Sequence, residues 1–342
     1  MVYKNVEFRN VAELFENNDG SVSWKRIPSN VHAAQEIESQ VAYNCTGVEL
    51  RFVIKGESAI IRMCACDEGR FHIYRGAVQG GWEDHEIHKN VGKSIDDFVI
   101  KRSSNIDKLR MMTNRCGYDW DCEVIRIIFD QGNFKIFDIL GDVEPPRKEQ
   151  CPKKTLMAYG SSITHGSNAI DTSHTWVSVL AHNLNMDARN LGMAGSCAME
   201  PEMVDYIASE GEKGNWDLAT LELGINVLDW DEKKIVARVE NTITQIAGRN
   251  PEKPVFVISP FYYCGDDFDP DGKAENWRVL IEQVANRLNF PNVTYIKGTD
   301  ILGDMSYISA DEVHPNIYGV QKIADKLTEI IKPFVRKEEL QR

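Results

Sequence analysis

Between residues 48 and 140 the apolar positions fall in short runs with a period near two. The runs 48–54 (VELRFVI), 58–63 (SAIIRM), 71–74 (FHIY), 98–101 (FVIK), 124–129 (VIRIIF) and 134–140 (FKIFDIL) are rich in β-branched and aromatic residues, which suit a pleated, half-buried surface. Lys55-Gly56-Glu57, Gly80-Gly81 and Gln131-Gly132-Asn133 punctuate them, and the last reads as a hairpin turn. Residues 11–16 read as a short helix capped by Asn10. Repeated short strands with little helical periodicity predict an antiparallel β-sandwich of jelly-roll kind.

The period changes after 144–154 (EPPRKEQCPKK). Two adjacent prolines, a third at Pro152 and dense charge bar a helix or a central strand, so this segment reads as a linker between domains 1–148 and 149–342. Beyond it, strand-like runs at 155–159, 188–191, 218–223, 255–259 and 293–296 alternate with helical patterns at 175–184, 201–209, 232–247, 273–288 and 318–331. In the first helix Trp176, Val179, Leu180 and Leu184 share a face. Strict alternation predicts a parallel sheet covered on both faces, a three-layer α/β/α domain. Ligands of such a sheet bind beyond the carboxyl ends of its strands. Ser162 follows the first strand, Gly195 the second and Asn226 the third, and His314 precedes the last helix.

Composition narrows the partners. A formal net charge of -13 and a pI near 5.2 disfavour nucleic acid and anionic membrane surfaces. The start, MVYKNVEFRNVAELFENNDG, lacks a basic stretch followed by an apolar one, and no run approaches a membrane span. The expectation is a soluble, cytoplasmic protein whose eight cysteines are reduced thiols. Cys64 with Cys66 and Cys116 with Cys122 lack the two-residue gap of common zinc sites, and the first pair reads as small buried residues on one strand face. Neither a metal nor a cofactor is expected. Tyr74, Trp82, Tyr118 and Trp120 read as core or edge aromatics, with stacking on a sugar ring as the competing use.

Candidate chemistry begins at TLMAYGSSITHG, residues 155–166, where an apolar run ends in a glycine and serine turn. Ser162 needs a base. Asp311-Glu312-Val313-His314-Pro315 offers a carboxylate three residues before a histidine, able to accept the proximal ring N–H and leave the distal nitrogen free for a serine proton. Donors for an oxyanion are available in the turn of residues 190–196 (NLGMAGS), with Gly195 preferred over Gly192, and in the Asn226 side chain after Gly224-Ile225. Taken singly, Ser162 and Asn226 read as helix caps. His165 and His174 read as solvated loop residues outside the site, while Tyr262, Tyr263 and the acidic run Asp266, Asp267 and Asp269 stay open as pocket lining.

In four blocks the chain resembles the SGNH, or GDSL-type, esterase and lipase superfamily: Gly160-Ser161-Ser162-Ile163-Thr164, residues 190–195, Gly224-x-Asn226 and Asp311-x-x-His314-Pro315, all in family order. The resemblance implies a flavodoxin-like sheet. It also implies Ser162 as nucleophile and oxyanion donor, Gly195 and Asn226 as further donors, His314 as base and Asp311 as its orienter. Two positions depart from the pattern: Ser161 stands where the family usually has aspartate, and Val227 follows the third-block asparagine in place of another.

The layout also resembles two-domain carbohydrate esterases with an N-terminal β-sandwich, which implies short acyl groups, acetyl first, on a small-molecule or oligosaccharide ester. An acyltransferase using the same acyl-enzyme, and a carbohydrate-binding protein without turnover, remain as alternatives. The oligomeric state is not legible.

Overall fold

The structure, a computed structural model, describes residues 1–37, 40–81 and 88–337. In the strand Ser58–Ala65, Ala59, Ile61 and Met63 are buried while Ser58, Ile60 and Arg62 are half-exposed, which is the alternation of a strand with one wet face. Such strands form two antiparallel sheets. One has eight strands built around Glu49–Ile54, Val124–Phe129 and Gly69–Arg75; the other has five, built around Asp96–Lys101, Ser58–Ala65 and Phe134–Leu140. Phe8, Trp24, Phe71, Phe129 and Phe134 fill the space between them, with Phe129 in ring contact with Trp24, Phe71 and Phe134.

Three local expectations are corrected here. Glu13–Glu16, expected to be helical, is a strand antiparallel to Val22–Lys25. Asn10 caps nothing, because its amide donates to the Thr46 and Asn190 carbonyls at 2.8 Å each. The Gln131-Gly132-Asn133 turn is no hairpin: Val124–Phe129 and Phe134–Leu140 lie in different sheets, and the turn carries the chain across the sandwich. A helix at Ile106–Cys116 was not anticipated. Among its residues only Thr113 is buried, although Ile106, Leu109, Met112 and Cys116 fall at helical spacing.

The α/β expectation holds. Five parallel strands, Thr155–Gly160, Asp187–Gly192, Leu218–Glu222, Val255–Ile258 and Val293–Ile296, take the spatial order 2-1-3-4-5. Met157 and Tyr159 face a layer made by Pro201–Glu212, Glu232–Gly248 and Lys273–Leu288. Leu156 and Ala158 face Trp176–Leu184 and Ile317–Lys337. Burial on both faces makes the inner strands Thr155–Gly160, Leu218–Glu222 and Val255–Ile258 nearly continuous apolar runs. The chain moves outward from the first strand to the second and then returns past it to the third. That reversal opens a crevice at the carboxyl edge, beside Ser162 and the residues after Glu222. Among the described residues no helix is long and apolar enough to cross a membrane.

Asp187–Gly192 is an edge strand, and the antiparallel sheets cover it. The Arg26 guanidinium, fully buried, donates to the Asn190 and Gly192 carbonyls at 3.1 and 2.9 Å, and to Asn44 and Val41. Burial pushes it down to about 10. At the other end of the strand, Arg51 grips Asp187 through two bonds of 2.8 and 2.6 Å and also meets Glu49 at 2.7 Å. Arg126 completes the group by donating to both Glu49 oxygens. Trp120 is 5% exposed, stacked beneath Arg51 and Arg126, so its ring is structural. Trp82 lies outside the described residues.

Burial raises the Asp187 carboxyl, but Arg51 and Arg9 more than compensate and hold it well below the carboxylate range. Its native pKa is therefore lower than its unfolded one. The stabilisation is fully present above the unfolded value and is lost progressively as pH falls from there through the lower native one. Asp187→Asn leaves Arg51 short of a buried partner and is expected to cost about 3–5 kcal/mol at neutral pH. In urea melts, the gap between wild type and variant should narrow below about pH 4, where the carboxyl begins to protonate in unfolded chains. A gap independent of pH would show that the pair contributes nothing through its charge.

Candidate active site

The first parallel strand ends at Gly160 and the chain turns at once into the short helix Ser162–His165. Ser161 caps it: its hydroxyl accepts the Ile163 N–H at 3.1 Å. Gly192 of the second strand sits against this turn, and a Cβ there would fall 2.2 Å from the His165 nitrogen. Only glycine allows that approach. His165 is 3% exposed, contrary to its reading as a solvated residue, and burial drives its pKa far down, so it is a neutral core imidazole.

The structure brings Ser162, His314 and Asp311 together. His314 Nε2 lies 2.7 Å from Ser162 Oγ, and His314 Nδ1 lies 2.8 Å from Asp311 Oδ2. The loop folds tightly enough for this because Asp311 Oδ1 accepts the Val313 and His314 backbone N–H groups, with Glu312 in the left-handed region at φ 69°. Two contacts brace the loop from outside. The Ser309 N–H donates to the His314 carbonyl, and the Cys264 N–H donates to the Glu312 carbonyl, both at 2.8 Å.

A fourth side chain joins the relay. Asn168, at φ 63° in the loop after the elbow, donates its amide to Asp311 Oδ2 at 2.6 Å. Partial burial would raise the Asp311 carboxyl, but these donors to its charged form bring it down to about 2. Sequence reasoning missed Asn168. Its partner is 143 residues away, and a polar residue in a glycine-bounded loop carries no signal of its own.

The candidate oxyanion donors divide. The Gly192 N–H is taken by Asn190 Oδ1 at 2.8 Å, which removes it from consideration. Gly195 lies in an open turn at φ 69° with no atom within 4 Å of a built Cβ. Among the described residues, neither the Gly195 nor the Ser162 backbone N–H donates to a protein acceptor. The Asn226 side chain is oriented by its oxygen, which accepts the Cys197 N–H at 3.1 Å, leaving its NH₂ end free to donate.

Below the elbow lies Glu222, completely buried at the end of the third strand. One of its oxygens accepts the Ser161 N–H and Oγ–H, each at 2.7 Å, and the Thr164 hydroxyl at 3.0 Å. Burial pushes this carboxyl up to about 7 although the Ser161 and Thr164 donors favour its charge. The available signal was a single carboxylate in the apolar run LATLEL.

Other residues considered from the sequence have structural partners. Arg278 bridges to Asp266 at 2.6 and 2.8 Å, and Tyr262 donates to Asp267. His174 pairs with Asp171 at 3.1 Å, and that bond raises its pKa. All eight cysteines are free; Cys64 is buried, while Cys66 lies past the strand end and is exposed, so they do not share a buried face. Among the described residues one trio, His72, Asp130 and Asp171, is close enough to share an ion. Its members are already engaged, His72 with Asp130 at 3.0 Å, Asp130 with Arg70 at 2.8 Å, and Asp171 with His174 and Ser173.

Strand order, elbow and loop together define an SGNH-type α/β/α fold with a serine, histidine and aspartate aligned at its carboxyl edge. The family model described as GDSL-like lipase/acylhydrolase matches residues 153–332, and the chain belongs to that family. No curated protein matches it. Among solved structures it is similar to a salicylyl-acyltransferase from a tetracycline biosynthetic pathway, at 18% identity and TM-score 0.71, covering 95% of this chain and 93% of that one. A family two carbohydrate esterase from Cellvibrio japonicus aligns at 12% identity and TM-score 0.64, covering 98% and 96%. An acetyl xylan esterase from the rumen bacterium Butyrivibrio proteoclasticus aligns at 11% and 0.57, covering 98% and 97%. At these identities the likeness is one of fold, and it spans both the antiparallel and the parallel sheets.

The depressed Asp311 carboxyl is directly measurable. Carbon-13 NMR of labelled protein should place its midpoint near 2, and Asn168→Ala, by removing a donor to the charged form, should move it up toward the ordinary ~3.9. An unchanged midpoint in the variant would mean that the Asn168 bond does not form in solution.

Proposed function

We propose that this chain is a serine carboxylic ester hydrolase that removes short acyl groups, acetyl above all, from carbohydrate esters. The observation that carries the reading is the aligned relay from Asp311 through His314 to Ser162, with hydrogen bonds of 2.8 and 2.7 Å. In this reading His314 Nε2 takes the Ser162 proton as Oγ attacks the ester carbonyl, and Asp311 stabilises the imidazolium that forms. The negative charge on the carbonyl oxygen is met by the Ser162 and Gly195 N–H groups and the Asn226 amide. Collapse of the tetrahedral species expels the sugar alcohol, which receives the proton from His314. Water then repeats the sequence against the acyl-enzyme and releases the acid, returning the proton to Ser162.

Support for a sugar ester comes from the likeness over nearly the whole chain to carbohydrate esterases, one of them an acetyl xylan esterase. We take residues 1–148 as a domain that completes the second strand of the catalytic domain, 149–342. This assignment rests on the Arg26 and Arg51 contacts to that strand. A second reading, acyl transfer to an alcohol in place of water, is favoured by the likeness to the salicylyl-acyltransferase. The two readings share every step up to the acyl-enzyme.

With p-nitrophenyl acetate and a panel of acetylated sugars, Ser162→Ala and His314→Ala should each lose several orders of magnitude in kcat/KM. Asn226→Ala should lose ~100- to 1,000-fold in kcat with little change in KM, because an oxyanion donor acts on the transition state. Wild-type rates no higher than those of Ser162→Ala on every substrate would overturn the esterase reading. Acyl sugars formed in place of free acid when acceptor sugars are added would select the transferase reading.

A further inference from the structure

The residues on either side of Ser162 are hydrogen-bonded to a buried carboxyl delivered from a neighbouring strand. Glu222 ends the strand Leu218–Glu222 beside Thr155–Gly160, whose continuation is the elbow. Its Oε2 accepts three hydrogen bonds, from Ser161 N–H and Ser161 Oγ–H at 2.7 Å and from Thr164 Oγ1–H at 3.0 Å. Ser161 and Thr164 flank Ser162 in the chain. The Ser161 hydroxyl passes the constraint on, since its oxygen also accepts the Ile163 N–H at 3.1 Å. Every side chain in this set is fully or almost fully buried. Three donors converging on one buried oxygen hold the backbone and both flanking side chains of the elbow in a single arrangement, and each bond tightens when the carboxyl is ionised.

The same contacts account for Ser161. A neutral serine at the cap position is itself a donor as well as an acceptor, so it needs an acceptor behind it, and Glu222 is that acceptor. The second oxygen, Glu222 Oε1, is buried with no partner among the described residues. A carboxylate with one oxygen overloaded and the other bare is not placed for its own stability. We propose that Glu222 is a positioning residue for the esterase reaction: acting through Ser161 and Thr164, it fixes the elbow so that Ser162 Oγ stays in line with His314. It touches neither substrate nor the reacting atoms. The proposal rests on the reading of Ser162 as the nucleophile.

A misplacement of about 1 Å at a reacting atom costs up to ~100-fold. Glu222→Gln keeps the size and shape of the side chain but removes the charge. It should therefore lower kcat ~10- to 100-fold with KM nearly unchanged, while leaving far-UV circular dichroism like that of wild type. The rate at which a small fluorophosphonate labels the protein reads the nucleophile independently of any sugar specificity, and it should fall by the same factor. Thr164→Val, which deletes one donor and keeps the volume, gives a milder test and should slow labelling less than Glu222→Gln does.

Ser161→Asp is the diagnostic partner. Alone it sets a second carboxylate beside Glu222 and should slow labelling. Combined with Glu222→Gln it restores an anionic cap and should recover part of the lost rate. Labelling by folded Glu222→Gln at the wild-type rate would overturn the proposal and leave the esterase reading standing. So would a loss in that variant confined to KM, or a double variant no faster than Glu222→Gln alone. Failure of wild type itself to label would overturn both.

Discussion

Two side chains 152 residues apart in sequence must remain 2.7 Å apart in space. A hydrogen bond from a hydroxyl to an imidazole loses strength within a few tenths of an ångström and a few tens of degrees, so both ends have to be braced. On the serine side the brace is the end of a buried strand, a one-turn helix capped by Ser161, and the Glu222 carboxylate beneath it. On the histidine side it is a loop closed by Asp311 on its own backbone, held by Asn168 and by the strand-like pairing of Ile308 with Pro315. The parallel sheet makes the meeting possible because the order 2-1-3-4-5 places the first strand inside the sheet, where its carboxyl end is reached from both sides.

The antiparallel sheets belong to this same arrangement. An edge strand presents unpaired carbonyls, and those of Asn190 and Gly192 are taken up by Arg26 and Asn10 from the other half of the chain. Three residues beyond Gly192 comes Gly195, one of the proposed oxyanion donors. The N-terminal half thus fixes a strand that leads into the turn of that proposed donor. The buried Arg51, Asp187, Glu49 and Arg126 group fastens the opposite end of that strand. Such groups specify one arrangement of two sheets more than they stabilise it, because their desolvation offsets much of their attraction.

What was legible in the sequence follows from how far each feature's cause extends along the chain. Strands buried on both faces, such as Thr155–Gly160 and Val255–Ile258, announce themselves as apolar runs, and helices with one apolar stripe do so through their period. Glu13–Glu16 is half-exposed and became a strand only because Val22–Lys25 lies beside it. The helix Ile106–Cys116 has Ile106, Leu109, Met112 and Cys116 at helical spacing, but the run is short and set among charged residues, so its period does not stand out. Gln131-Gly132-Asn133 has turn chemistry that is the same whether the chain reverses within a sheet or crosses to another. In the candidate site, Ser162, Asp311 and His314 could be singled out because their motifs are local in sequence and ordered along the chain. Glu222 and Asn168 could not, because each acts on a partner 58 to 143 residues away through a contact that exists only after folding.

In the proposed mechanism Ser162 carries the acyl group. Acid quenching of the protein during turnover of p-nitrophenyl acetate, followed by peptide mapping in a mass spectrometer, tests it most directly. An acetyl group is expected on the peptide that contains Ser162, assigned to that residue and absent from His314→Ala treated in the same way. Sustained turnover with no acyl group on Ser162, or with one on a different residue, would contradict it.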